Sequence, residues 1–87
     1  MRFEYDPEKS ASNLIKHGID FDEAQRLWTD DRLAIAEARS DDEPRFLAIG
    51  RIGDRHWSAI YTLRSERLRL ILVRRARAEE IMRYEGR

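Results

Sequence analysis

The chain has 87 residues, 41% of them hydrophobic and 39% charged. Its 17 basic and 17 acidic side chains cancel, and there is no cysteine. That composition predicts one compact domain over residues 1–87, with room for one core and not two. It excludes a disulfide framework, a thiolate metal site and a thiol nucleophile.

Phe3-Glu4-Tyr5 alternates and predicts a short first strand. Asp6-Pro7 then signals a helix start, with Asp6 as N-cap and Pro7 at the first helical position. Ala11, Leu14 and Ile15 share one face of that helix and are expected to point inward. Lys16-His17-Gly18 ends it, with cations near the negative terminus and glycine in the left-handed position. Asp20 caps a second helix, and Glu23 completes an Asx form of the capping box. Phe21, Ala24, Leu27 and Trp28 make its apolar face, and Thr29-Asp30-Asp31 closes it.

The second half changes period. Leu33–Ala36 predicts a strand, and Ser40–Pro44 a polar loop. In the strand Arg45–Ile52, Arg45, Leu47, Ile49 and Arg51 fall on one face. Gly53-Asp54 is a two-residue hairpin signal. Arg55–Leu63 is its partner strand, with Trp57, Ala59, Tyr61 and Leu63 on the apolar side. After a turn at Arg64-Ser65-Glu66, Arg67–Arg74 is the most apolar strand and is expected to be central. Ala78, Ile81 and Met82 lie at helical spacing in a last helix over Arg77–Tyr84. This order predicts an α+β fold: an antiparallel sheet of about four to five strands, two N-terminal helices and one C-terminal helix. The helices are expected to cover one face of the sheet and leave the other face or its edge open.

Charge divides along the chain. Residues 1–44 carry 6 basic and 12 acidic side chains, and residues 45–87 carry 11 and 5. Every cation of the second half is arginine, whose planar fork keeps its charge and grips phosphate. A basic face for a polyanion follows. Its candidate RNA contacts are Arg45, Arg51, Arg75 and Arg77. Neither His17 nor His56 has metal-ligand spacing, and no glycine-rich phosphate loop or nucleophile elbow is present. No metal or cofactor is expected. RNA cleavage by the 2′-hydroxyl suits this inventory, because it needs arginines to neutralise phosphate and a positioned group to move a proton. Arg74, at the end of the apolar strand, must meet an anionic partner or substrate. His17, Glu80 and Tyr84 are the candidates for proton transfer, although a histidine before Gly18 is equally a helix cap. The longest aliphatic run, Leu70–Val73, is far too short to span a membrane, and the N-terminus lacks a signal-peptide stretch. A soluble, cytoplasmic protein is expected.

The pattern Phe3-x-Tyr5-Asp6-x-x-Lys9-x-x-x-Asn13-x-x-Lys16-His17-Gly18-Ile19-x-Phe21-x-Glu23-Ala24, followed by Asp30, resembles the opening signature of the BrnT toxin family. Arg45-Phe46, Gly50, Arg69, Ile71, Arg74-x-Ala76, Glu80 and Tyr84 continue the likeness. Tyr5 replaces the usual tryptophan, Leu72-Val73 a small Ser-Ala pair, Arg77 a threonine, and Ile81 an arginine. The resemblance implies a RelE-like fold and a metal-free endoribonuclease that inhibits translation. Arg74, His17, Lys16, Glu80 and Tyr84 then form the catalytic set. It also implies a BrnA-type antitoxin encoded alongside, which brings the complex to operator DNA. The substitutions at Leu72, Val73 and Ile81 also admit a second reading, a non-catalytic module that holds the antitoxin on DNA.

Overall fold

A computed structural model describes residues 2–86. Strands β1 (Arg2–Glu4), β2 (Ala34–Ala38), β3 (Arg45–Ile52), β4 (Arg55–Arg64) and β5 (Arg67–Arg75) form one sheet in the order β1-β5-β4-β3-β2. Helices α1 (Pro7–His17) and α2 (Phe21–Ala24), with a 3-10 turn over Gln25–Thr29, precede β2, and α3 (Ala78–Glu85) follows β5. The fold is thus α+β with the expected helices. The sheet, however, is mixed: β1 pairs parallel to β5, while all other pairs are antiparallel. Hairpin signals report only on adjacent strands. The β1–β5 pairing joins residues more than 60 positions apart, so no local pattern encodes its direction.

The main core lies between the sheet and the N-terminal helices. Phe21, Ala24 and Leu27 pack on Ala48, Trp57, Ala59, Tyr61, Leu68, Leu70 and Val73. Phe3, Trp28 and Tyr61 meet edge to face, at 5.2 and 5.4 Å between ring centroids. In the β4–β5 ladder, Ile60 pairs with Leu72 and Tyr61 with Leu70, so Ile71 is the extra residue of a bulge. The bulge lets Leu68, Leu70 and Val73 all face the core although their spacing is uneven.

Caps follow the sequence closely. The Asp6 carboxylate accepts the Glu8 backbone N–H at 2.9 Å, and Asp20 accepts that of Glu23 at 2.8 Å. Gly18 ends α1 at φ +81°, where a side chain would be strained. Two packing expectations are corrected. Leu63 is exposed at the end of β4. The orientation of α1 is inverted: Ser10 and Asn13 are buried, while Ala11, Leu14 and Ile15 face outward.

The reason for the inversion is hydrogen bonding. β1 covers only Arg67–Arg69 of β5, which leaves the rest of that strand without a neighbour on its outer side. Asn13 fills the gap. Its Nδ2 donates to the carbonyls of Val73 and Ile19, both at 2.8 Å, and its Oδ1 accepts the Val73 N–H at 3.2 Å. Ser10 Oγ accepts the Phe21 N–H at 2.8 Å. Buried backbone groups demand partners, and that demand outweighs the burial of Leu14 and Ile15.

Candidate nucleic-acid interface

Strand register defines the face opposite the main core. One row across it runs Ala38, Arg45, Thr62, Arg69 and Glu4. The next is Ala36, Leu47, Ile60 and Leu72; the third is Ala34, Ile49, Ser58 and Arg74; Arg51 and His56 follow. Helix α3 covers only the last rows, where Tyr84 packs on Ala34 and Ile49. The Arg45 end stays open. Alternation in β3 and the end of β5 thus places Arg45, Arg51 and Arg74 on one face, as expected.

Arg75 points the other way. It is exposed, and its guanidinium lies 5.6 Å from the Trp57 ring centroid. Arg77 is exposed at the start of α3. Arg67 and Arg69 are paired with Glu4, at 3.5 and 3.1 Å. Arg45 carries no ion pair, and its buried Nε has no hydrogen-bond partner. Glu37, Asp42 and Glu43 line the same recess, of about 390 Å³.

Arg74 does have the anionic partner its position requires. Its Nη1 and Nη2 donate to the two oxygens of Glu80, each at 2.9 Å. The same carboxylate accepts from Ser58 Oγ and from the Arg77 backbone N–H, both at 2.8 Å. The Arg74 fork is the main reason that the Glu80 pKa falls from 4.5 to about 2, against the opposing effect of burial. Glu80 is therefore an anion with its oxygens occupied, and a poor proton carrier at neutral pH.

Tyr84 is buried, and its hydroxyl donates to Asp30 Oδ2 at 2.6 Å. Burial raises its pKa first, and the Asp30 carboxylate raises it further. Asp30 also accepts the backbone N–H groups of Arg32 and Arg51, each at 2.9 Å. Burial opposes its charge, but these hydrogen bonds hold its pKa below the ordinary value. Asp30 does for β3 what Asn13 does for β5. β2 covers β3 only as far as Ile49, and Asp30 takes the next free N–H while tying α3 to the 3-10 turn. A cavity of about 470 Å³ opens beside it, lined by Arg26, Arg32, Arg51 and Tyr84 among others.

Lys16 and His17 share no hydrogen bond or ion pair with Arg74, Glu80 or Tyr84. With Lys9, Ser12, Asn13, Ile71 and Leu72 they line a separate cavity of about 150 Å³ at the β5 edge. The structure instead brings His56 to the arginine face. Its Nε2 lies 2.7 Å from Glu85, and its ring meets Tyr84 edge-on at 5.4 Å. His56 and Glu85 are 29 residues apart, and no sequence spacing signals their meeting.

A comparison with protein families matches residues 5–80 to the ribonuclease toxin, BrnT, of type II toxin–antitoxin systems. The chain belongs to the BrnT family. No curated protein matches it. BrnT membership makes this chain a relative of ribonuclease toxins and implies an antitoxin partner. The match takes in α1, the whole sheet and the Arg74–Glu80 pair. No helix among the described residues is long and apolar enough to cross a membrane.

Proposed function

We propose that this BrnT chain is a metal-independent endoribonuclease that inhibits translation and is neutralised by a BrnA-type antitoxin. The observation that carries this reading is the register that gathers Arg45, Arg51 and Arg74 on one sheet face within the family-matched segment. RNA lies along that face, with Arg77 extending the contact at the start of α3. Arg75 on the far face contacts RNA only where the strand wraps the sheet end.

In the reaction the 2′-oxygen attacks the adjacent phosphorus. The P–O2′ bond forms and the P–O5′ bond breaks, giving a 2′,3′-cyclic phosphate and a 5′-hydroxyl. The 2′-hydroxyl proton passes to a base, and the leaving 5′-oxygen takes one from an acid. Arg74 offsets the charge that builds on the phosphate, exchanging part of its hold on Glu80 for the substrate. Glu80 positions Arg74, and Tyr84 holds α3 in place through Asp30. His17 remains the candidate for proton transfer, with Lys9 and Lys16 as cations beside it. His56 is a second candidate, on the arginine face itself. The chain has no cysteine, and among the described residues no three metal-ligating side chains cluster, which supports metal-free chemistry. In complex with the antitoxin the protein reaches operator DNA, in the cytoplasm.

The Arg74–Glu80 pairing favours one alternative, a binding module whose arginine is already neutralised. Purified protein incubated with total RNA in EDTA separates the two. Cleavage ending in cyclic phosphates is expected. Intact RNA at all protein concentrations leaves the binding module, and cleavage restored only by a divalent ion rejects the metal-free mechanism.

A further inference from the structure

Helix α1 is amphipathic with its faces reversed. Ser10 and Asn13 are buried, while Leu14 is 49% and Ile15 86% exposed. Ala11 and Gly18 are exposed as well, so positions 11, 14, 15 and 18 form a continuous seam at helical spacing i, i+3, i+4, i+7. Leaving isoleucine this bare costs solubility, and nothing within the chain covers it. The two small residues at the ends of the seam allow a second backbone to approach closely. Lys9 and Lys16 flank the seam on the side of the β5 edge, where they line the small cavity with His17. They are the only lysines in the chain; its other 15 cations are all arginine.

We propose that this outward seam of α1 is the docking surface for an amphipathic helix of the antitoxin. That helix carries apolar anchors against Ala11, Leu14 and Ile15, and carboxylates on the side facing Lys9 and Lys16. The proposal rests on the toxin–antitoxin reading above and adds the surface and the chemistry of its partner. Charge complementarity selects the occupant. A second copy of this chain would set lysines against lysines or present its own reversed helix, whereas an acidic amphipathic helix satisfies both parts of the surface. Docked there, its carboxylates cover the cavity of Lys16 and His17 and shut RNA out of it. Neutralisation then needs no contact with the arginine face.

The test uses the full chain, tagged and co-expressed with the BrnA-type antitoxin of the adjacent reading frame. Ile15→Glu and Ala11→Glu alter exposed positions, so their melting temperatures should match the parent. Both should bind the antitoxin roughly tenfold or more weakly, the loss expected for an anchor residue. RNA cleavage by the isolated variants should be unchanged. Met82→Glu, at an exposed apolar position of α3, should bind like the parent. Lys9→Glu should weaken the complex further at low salt than at high salt. Parent-like antitoxin binding by Ile15→Glu and Ala11→Glu overturns the proposal and leaves the toxin reading intact. A parent that does not bind the antitoxin overturns both. Sedimentation of the parent alone as a dimer that Ile15→Glu dissociates assigns the seam to a second copy, and also overturns it.

Discussion

Replacing Arg74 by alanine tests two roles at once, and the structure separates them. Arg74 and Glu80 are 15% and 11% exposed, and Glu80 takes four hydrogen bonds, two of them from Arg74. Removing one partner of a well-buried ion pair costs about 3–5 kcal/mol, and partial exposure lowers this to about 2–4 kcal/mol here. A domain of this size has roughly 5–10 kcal/mol in total, and each kcal/mol moves the melting temperature by about 4–8 °C. Arg74→Ala should therefore melt roughly 10–20 °C below the parent, and its loss of toxicity would not distinguish catalysis from folding. Arg74→Lys keeps the charge but loses the fork. It should fold, and should lose most cleavage if Arg74 meets the phosphate. The pair also predicts a pH dependence. The folded pKa of Glu80, about 2, lies below its ordinary 4.5. The stabilisation is complete above 4.5 and is lost as pH falls from 4.5 towards 2, by at most about 3 kcal/mol. Glu80→Gln should flatten the melting curve in that window. Thermal melts between pH 2 and 7 check this. An Arg74→Ala protein that melts within about 3 °C of the parent refutes the anchoring role, and a folded Arg74→Lys protein with parental cleavage removes Arg74 from the chemistry.

Asn13→Ala strips three hydrogen bonds from the β5 edge and should destabilise the fold by about 2–4 kcal/mol, read by urea denaturation. RNA affinity should fall steeply with salt. Arg45→Gln and Arg51→Gln should each reduce the salt slope by about 1, while Arg75→Gln on the opposite face should not; equal effects from all three would deny the sheet face its role. His17→Gln and His56→Gln distinguish the two candidates for proton transfer. The one that moves the proton should lower the cleavage rate about 100-fold or more and abolish one limb of the pH–rate profile, and the other should do neither.

Local patterns in the sequence carry most of this fold. Asp6-Pro7, Asp20 and Gly18 set the helix ends, because caps act over three or four residues. Alternation set the strands and put Arg45, Arg51 and Arg74 on one face, because the side-chain period of a strand is strict. The signature that identified the family was also readable before any coordinates. What the sequence could not decide were the partners of long-range polar groups. The parallel pairing of β1 with β5, the Arg74–Glu80 fork, the meeting of His56 with Glu85, and the edge-capping roles of Asn13 and Asp30 all depend on which backbone groups the finished sheet leaves open. The orientation of α1 shows the consequence most directly. Periodicity pointed its apolar stripe inward, but the short β1 left Val73 without a strand neighbour. The helix turned its polar side to that need, because an unpaired buried N–H or carbonyl costs more than leaving Ile15 in water.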